Sequence, residues 1–436
     1  MLDQFTPFDA TVDAQVTAPF ELVVVGAGVA GLNALYAATE YLPKGARVLL
    51  VDQKDAAGGM WNTAYDYVRL HQPHPMFTVG DMRWDWKRPR DYLAKRDEVR
   101  AHLASALVPI GRAVDLNCAF GHSVSAMQEI DTEDGPRAQI TLAAVDDPAK
   151  TRTVIAQRVI HAPGLNYHVA EPLSLSSASV VSIIPQDLGQ TLRDHPDAAL
   201  YVVGGGKTGM DTVLAALAHE PQRRVSMIKG RGTNFLNRTR YLPTGTKRWT
   251  SGELVSRLFR DIAHHFDGDN EDEAVAYFRK TYSTDPASDN GVFLYGLQSE
   301  DEHSRIQEGL AQNISGYLVD VTDGAEGPQI VMRDGATIPV PPGSIFVNCS
   351  GSFFRGDTLA EEMPFMSPHA TIISINGRDG MHFLTSVAGF FSVHLLYRDA
   401  LRGTGFYRLD HEALFRENRN AWVGASAAQA YMTQVL

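Results

Sequence analysis

Two short apolar runs, each followed by closely spaced glycines and then by helical periodicity, organise the chain. The first is Leu22-Val-Val-Val25, a continuous β-branched stretch of the kind that forms a parallel strand buried on both faces. Beyond it, Leu32, Leu35 and Tyr36 fall at helical spacing, and a second strand, Arg47 to Asp52, completes a strand–helix–strand unit. The pattern restarts at Ala199 with Leu-Tyr-Val-Val. Met210, Val213, Leu214 and Leu217 then recur at i, i+3, i+4 and i+7, an amphipathic helix, before a strand that runs from Arg224 towards Arg231. The expected fold class is therefore α/β, with two Rossmann-like dinucleotide-binding domains, the second inserted in the first, and a helical insertion.

The remaining pattern fills in that plan. A charged helical stretch near Arg90 to Leu107 leads into an antiparallel meander from Val124 to Val159, turning at Glu133-Asp-Gly135-Pro. Val159-Ile-His-Ala-Pro-Gly164 returns to the sheet. A second meander is marked by Asp323-Gly324 and Asp334-Gly335, after which Ser344 to Gly351 reads as a return to the first domain. A last strand, Met381-His-Phe-Leu, passes through Gly389 into a terminal helix. These readings give a discontinuous first domain, 18–197 and 343–436, and a second domain, 198–342, that includes a helical insertion at 232–312. In the insertion Leu254, Leu258, Ile262 and Phe266 recur every four residues beside Val255 and Phe259, a core-facing helix. Whether it shapes a substrate pocket or covers the domain's own flank stays open.

The glycines carry the chemistry. Gly26, Gly28 and Gly31 form G-x-G-x-x-G at the end of the first strand: a sharp turn, a close approach to a pyrophosphate, and tight helix–strand packing. Asp52 ends the next strand 21 residues beyond Gly31, placed to accept the hydroxyls of an adenosine ribose and to repel a 2′-phosphate. Gly58-Gly59-Met60-Trp61 follows. Gly59 would let backbone pass close to a flat group, and Trp61 either lies against that group or belongs to the core. Tyr67 to Met76 reads as a stiff, cofactor-facing loop. Val124, Gly164 and Gly351, at the heads or ends of neighbouring strands, join the expected cofactor-binding set.

The second unit has Gly204, Gly206 and Gly209, with Lys207 and Thr208 between them. A phosphate-binding P-loop would need glycine where Tyr201 stands, so the ATPase reading fails. Here the strand ends in Lys229 and Arg231 instead of an acid, which suits a 2′-phosphate and favours NADPH over NADH. One cofactor with a bare ribose and one with a 2′-phosphate make FAD with NADPH the simplest pair, with hydride passing between them.

Composition narrows the classes further. The 436 residues include 39 Lys and Arg against 51 Asp and Glu, a net charge of −12 without basic stripes, which excludes a nucleic-acid binder. Two cysteines, Cys118 and Cys349, provide no disulfide framework, CxxC pair or four-thiolate metal site. His71 and His74 lack carboxylate or thiolate partners in sequence, and no metal is expected. The first twenty residues have no Lys or Arg, so no signal peptide is read and a cytoplasmic location is expected. Leu22 to Ala38 imitates a membrane span, but its spaced glycines point to the nucleotide motif.

With both fingerprints placed, the chain resembles the class B flavoprotein monooxygenases, the group that includes flavin-containing and Baeyer–Villiger monooxygenases. The resemblance covers nearly the whole length and is carried by the two glycine triplets, Asp52 with Gly58 to Trp61, and the Lys229/Arg231 strand end. It implies an FAD-dependent enzyme using NADPH and O2 to oxygenate a small organic substrate at nitrogen, sulfur or a ketone, through a C4a-(hydro)peroxyflavin. It also implies a residue near the reacting atoms in the loop after GGxW, an Asn in the flavin-containing branch; here the nearest match is Gln72, which offers the same amide from one methylene further out. The family's F-x-G-x-x-x-H sequence is absent, because Leu165 to Leu188 contains no glycine. The alternatives are an NADPH-linked flavin reductase, dehydrogenase or oxidase without oxygen insertion, or a flavin-binding redox sensor.

Overall fold

A computed structural model describes residues 6–7, 19–164, 170–288, 292–351, 364–375, 385–401 and single positions between 414 and 427. In chain order the first part comprises β1 (Thr6–Pro7), β2 (Phe20–Val25), α1 (Val29–Ala38), β3 (Arg47–Asp52), α2 (Arg96–Ser105), α3 (Leu107–Ala113), β4 (Asp115–Phe120), β5 (His122–Thr132), β6 (Gly135–Ala144) and β7 (Thr151–His161). The second comprises β8 (Val181–Ile183), α4 (Leu188–Asp194), β9 (Leu200–Val203), α5 (Lys207–His219) and β10 (Val225–Ile228). An insertion follows with β11 (Thr233–Asn237), α6 (Arg238–Tyr241), α7 (Lys247–Thr250), α8 (Val255–His265), α9 (Glu271–Tyr282) and β12 (Val292–Gln298). The chain continues through α10 (Glu300–Gly309), β13 (Leu310–Ile314), β14 (Leu318–Gly324), β15 (Gly327–Met332), β16 (Thr337–Pro339), β17 (Ile345–Asn348), β18 (Ile372–Ser374) and α11 (Thr385–Tyr397).

Among the described residues the strands form two main sheets. The first has the order β1-β4-β3-β2-β7-β6-β5, with β18 added beside β7; the half around β2 is parallel and β5–β7 are an antiparallel meander. The second, β13-β10-β9-β17-β8, is parallel throughout. In each sheet the strand before the glycine triplet is central and the strand order reverses around it, which opens a crevice at its carboxyl end. Because β18 rejoins the first sheet after β17 has left the second, the second domain is inserted in the first.

The apolar runs become buried on both faces, as continuous strands in α/β sheets must. Leu22 and Val24 face α1 with Leu32, Leu35 and Leu50, while Val23 and Val25 face the meander with Ile140 and Leu142. Leu32 and Leu35 are fully buried, each contributing roughly 1.5–3 kcal/mol. Helix α1 is buried nearly all round because α11 crosses it: a Cβ on Gly389 would lie 2.4 Å from the Ala30 carbonyl oxygen. No helix among the described residues is long and apolar enough to cross a membrane; Leu22 to Ala38 is a strand, a turn and a helix.

Several expected boundaries change. The strand at Ser344 to Gly351 does not return to the first domain: β17 lies between β9 and β8 in the second sheet, so that sheet draws on residues before 198 and after 342. An apolar strand buried on both faces reads the same in either sheet, so its pattern carries no address. The 232–312 insertion also ends earlier. Helix α10 packs on α5, and β13 is the edge strand beside β10, so both belong to the dinucleotide unit. The insertion is not wholly helical either, since β11 and β12 pair in parallel. Leu254 caps α8 from outside and is exposed, whereas Leu258, Phe259 and Ile262 face the insertion's own core with Phe278 and Tyr282. The charged helix begins at Arg96, where Glu98 bonds back to the Lys95 N–H. Met381 to Leu384 lie outside the described residues.

Candidate functional site

The two glycine loops are built alike. Gly26 N–H donates to the Val51 carbonyl at 2.7 Å, and Gly204 N–H to the Ile228 carbonyl at 2.9 Å. Both take left-handed φ angles, +104° and +121°. A Cβ on Gly26 would lie 2.1 Å from the Ala162 carbonyl oxygen, and one on Gly204 2.5 Å from that of Cys349. Only glycine fits either turn without displacing backbone. A Cβ on Gly31 would likewise lie 1.8 Å from the Gly26 carbonyl oxygen, and one on Gly209 2.0 Å from that of Gly204. Gly28 and Gly206 then stand at the N-caps of α1 and α5, where the first helical N–H groups face outward without intrahelical partners. The crossing strands thus deliver Ala162 and Cys349 to equivalent places, with the exposed Gly164 and Gly351 two residues beyond.

Asp52 sits at the end of β3, beside the first loop. Its Oδ2 accepts the Ala27 N–H at 2.6 Å and its Oδ1 the Lys54 N–H at 2.8 Å. Burial raises its pKa, and these two bonds pull against that rise. Gly59 closes over the loop: a Cβ there would lie 2.8 Å from the Gly28 Cα, and Gly58 N–H donates to the Ala27 carbonyl at 2.9 Å. Trp61 takes the core alternative, 8% exposed with its ring edge-on to Phe77. Val124 packs its side chain against the meander face of the sheet, just after Gly121 N–H has bonded to the Lys54 carbonyl beside Asp52.

Between the two domains lies the segment after GGMW. Tyr65 donates to Asp211 Oδ2 at 2.9 Å, and Asp211 also pairs with Lys207 one helical turn earlier. Lys207, expected to face a cofactor, is therefore held by a carboxylate on its own helix. Tyr67 bonds the Thr212 hydroxyl at 2.8 Å, and Thr212 donates to the Thr208 carbonyl and lies 3.4 Å from Cys349 Sγ. Burial lifts both tyrosine pKa values and pushes the Cys349 thiol up to about 12. These hydroxyls are thus fixed hydrogen-bonding groups that dock the loop on α5.

Gln72, the expected catalytic residue, follows in the same segment. Its Oε1 is buried and has no hydrogen-bond partner among protein atoms, the condition of an acceptor left for a ligand. His71 beside it is held by the insertion: its carbonyl accepts Arg238 Nη1 at 3.1 Å and its Nδ1 accepts the Leu297 N–H at 3.4 Å. Burial first, then the charges of Lys207 and Arg238, lowers its pKa to about 4. Arg238 is itself buried and paired with Glu302 at 2.7 Å. The insertion therefore touches the candidate site and is more than a cover for the domain's flank.

Lys229 and Arg231 emerge after β10. Lys229 packs against Gly205, and its N–H donates to the Ile314 carbonyl at 2.9 Å; Arg231 is exposed. Beside Lys229 opens a largely polar cavity of about 400 Å³, whose lining includes Thr233, Ser283, Asp285 and His303. Sequence reasoning missed Tyr65, Arg238 and Glu302, whose partners are distant in the chain. The Lys207–Asp211 pair was visible as an i, i+4 spacing. Among the described residues no group of three or more His, Cys, Asp or Glu is placed to hold a metal ion.

Comparison with known proteins matches residues 20–242 to the family described as pyridine nucleotide-disulphide oxidoreductases. An uncharacterized protein of Mycobacterium tuberculosis is 24% identical over 375 residues, covering 82% of this chain and 64% of the relative, so the chain spans under two thirds of that relative's length. Among solved structures, the cadaverine monooxygenase DfoA of Erwinia amylovora bound to FAD aligns with a TM-score of 0.54 at 12% identity, covering 88% of this chain and 95% of that one. The ornithine hydroxylase PvdA of Pseudomonas aeruginosa gives 0.53 at 13%, covering 87% and 99%. An oxidized steroid monooxygenase bound to NADP gives 0.54 at 15%, covering 88% and 85%. These likenesses establish the two-domain fold.

Proposed function

The chain belongs to the pyridine nucleotide-disulphide oxidoreductase family, and from that premise we propose that it is an FAD-dependent monooxygenase that uses NADPH and O2 to oxygenate a small organic substrate. One observation carries the reading. Two glycine cradles of the same build end in opposite charges, Asp52 in one and Lys229 with Arg231 in the other. Solved structures of the same fold are named as an ornithine hydroxylase, a cadaverine monooxygenase and a steroid monooxygenase, which supports the same reaction class. Dithiol chemistry is closed to this chain: Cys118 lies in β4 of the first sheet and Cys349 just beyond β17 of the second, with both thiol pKa values pushed up to about 12 by burial.

The residues present fit both cofactors. The cradles leave no room for a Cβ at their turns, and the buried Gln72 Oε1 lacks a protein partner. Asp52 would accept the ribose hydroxyls of FAD with the lone pairs not used by Ala27 and Lys54, and the first N–H groups of α1 would face its pyrophosphate. Gly59 gives close backbone approach, while Val124 and Gly164 would border the same cofactor. Gly206, Thr208 and the start of α5 would hold the second pyrophosphate, with Gly351 at its edge. Lys229 and Arg231 would take the 2′-phosphate, and Lys207 would add charge once released from Asp211. When bound, the pair supplies hydride transfer and activation of oxygen. Gln72 would present its amide near the reacting atoms, and the Tyr65–Tyr67 docking on α5 would keep water from the space between the domains.

A second reading, an NADPH-linked reductase or oxidase without oxygen insertion, is favoured by the glycine-free Leu165 to Leu188 segment and by Gln72 in place of an asparagine. The deciding experiment reconstitutes the protein with FAD and supplies NADPH with a panel of amines, sulfides and ketones. Products heavier by one oxygen atom, with NADPH consumed in proportion, support the monooxygenase. NADPH consumption matched by hydrogen peroxide throughout the panel supports the second reading.

A further inference from the structure

The charged strut that runs from α10 to His71 belongs to no cofactor contact described above. Ser299 caps α10, and the Glu302 carboxylate bonds back to the Ser299 N–H at 2.9 Å, which fixes its position. The other Glu302 oxygen pairs with Arg238 Nη2 at 2.7 Å, and Arg238 Nη1 reaches the His71 carbonyl at 3.1 Å. Neighbouring Asn237 is tied to the same helix end, donating to Glu300 at 2.8 Å. Against burial, the Arg238 charge and its hydrogen bond hold the Glu302 pKa below its ordinary value.

The strut joins three parts of the molecule. Glu302 stands on the nicotinamide-side helix, Arg238 in the insertion, and His71 in the first domain's loop. A carbonyl held by a buried guanidinium is a strong anchor, because the alternative leaves the charge without its full set of acceptors. The residue it anchors precedes Gln72, whose buried Oε1 has no protein partner.

On this basis, and resting on the function proposed above, we propose that Arg238 is a positioning residue: clamped by Glu302, it fixes the His71 carbonyl and so sets the Gln72 amide in place between the domains. The strut makes the placement of that amide depend on the second domain and its insertion. It touches no reacting atom itself.

The test compares FAD-loaded wild type with Arg238→Lys, Arg238→Gln, and the double variant Arg238→Gln/Glu302→Gln, which leaves no unpaired buried charge if the single variant folds poorly. Two readouts are taken: backbone hydrogen exchange, peptide by peptide, and the fraction of oxidised NADPH that appears as hydrogen peroxide. In both glutamine variants, exchange across 68–74 should rise about tenfold to a hundredfold, the loss of one charged hydrogen bond, with β2 and α1 unchanged. The peroxide fraction should at least double, and Arg238→Lys should fall between. Unchanged exchange at 68–74, or a uniform rise across the domain, overturns the proposal. So does a wild-type peroxide fraction once the loop has loosened. If wild type oxidises no NADPH, the proposed function fails, and the exchange comparison still decides whether the strut holds the loop.

Discussion

A carboxylate oxygen of Asp52 accepts the Ala27 N–H at 2.6 Å, so the strand-end acid and the glycine loop form one hydrogen-bonded unit. Replacing Asp52 with Asn keeps the shape but turns one acceptor into a donor facing either the Ala27 or the Lys54 N–H. FAD affinity should fall about tenfold to a hundredfold, as expected for loss of charge-assisted bonds. Flavin content after gel filtration, against a titrated standard, checks this. Wild-type retention would show that the carboxylate serves only the loop.

Gly26→Ala and Gly204→Ala should behave as a pair, because each places a methyl group about 2 to 2.5 Å from a carbonyl oxygen at a left-handed φ. Each substitution should cost about 3 kcal/mol or more. Chemical denaturation measures it, and loss of the matching cofactor should accompany each. A variant as stable as wild type would mean that the loop relaxes freely.

How much of this was legible in the sequence follows from the range of the interactions. The cradles are local: Gly26, Gly28 and Gly31 lie within six residues of one another, and Asp52 follows one helix later. Arg238 and His71 are 167 positions apart, with no periodicity linking them. The strand Ile345–Asn348 was visible as a strand, yet its sheet was not, since Phe346 and Val347 face two different cores with the same apolar chemistry. The β11–β12 pair escaped notice because Thr-Asn-Phe-Leu-Asn is too short and mixed to show a clear period.

Cofactor choice should move with the second strand end. Lys229→Ala/Arg231→Ala should raise the KM for NADPH about tenfold to a hundredfold while leaving that for NADH nearly unchanged, because only NADPH carries the 2′-phosphate. Steady-state kinetics with both nucleotides reads the ratio directly. Equal loss with both would place the two cations elsewhere in the binding mode.

Acid should destabilise the protein through its buried histidines. Burial holds His71, His102 and His161 neutral, with pKa values lowered from 6.5 to about 4. Between those values the unfolded chain binds more protons, so the stability present above pH 6.5 is lost as pH falls towards 4. The raised Asp52 carboxyl acts in the opposite sense, one group against three. Tm should be level near pH 7 and drop below 6.5, and His161→Asn should shallow that drop. A flat profile down to pH 4.5 would contradict the histidine assignments.

The central claim is tested most directly by reducing the FAD-loaded protein with NADPH under anaerobic conditions, then mixing it rapidly with oxygen while recording the flavin spectrum. The monooxygenase account predicts reduction by NADPH, followed by a transient absorbance distinct from both oxidised and reduced flavin. Its decay should quicken with an oxygen-accepting substrate. Failure of NADPH to reduce the flavin would contradict the account. So would a direct return to oxidised flavin, with stoichiometric hydrogen peroxide in the presence of every amine, sulfide and ketone tried.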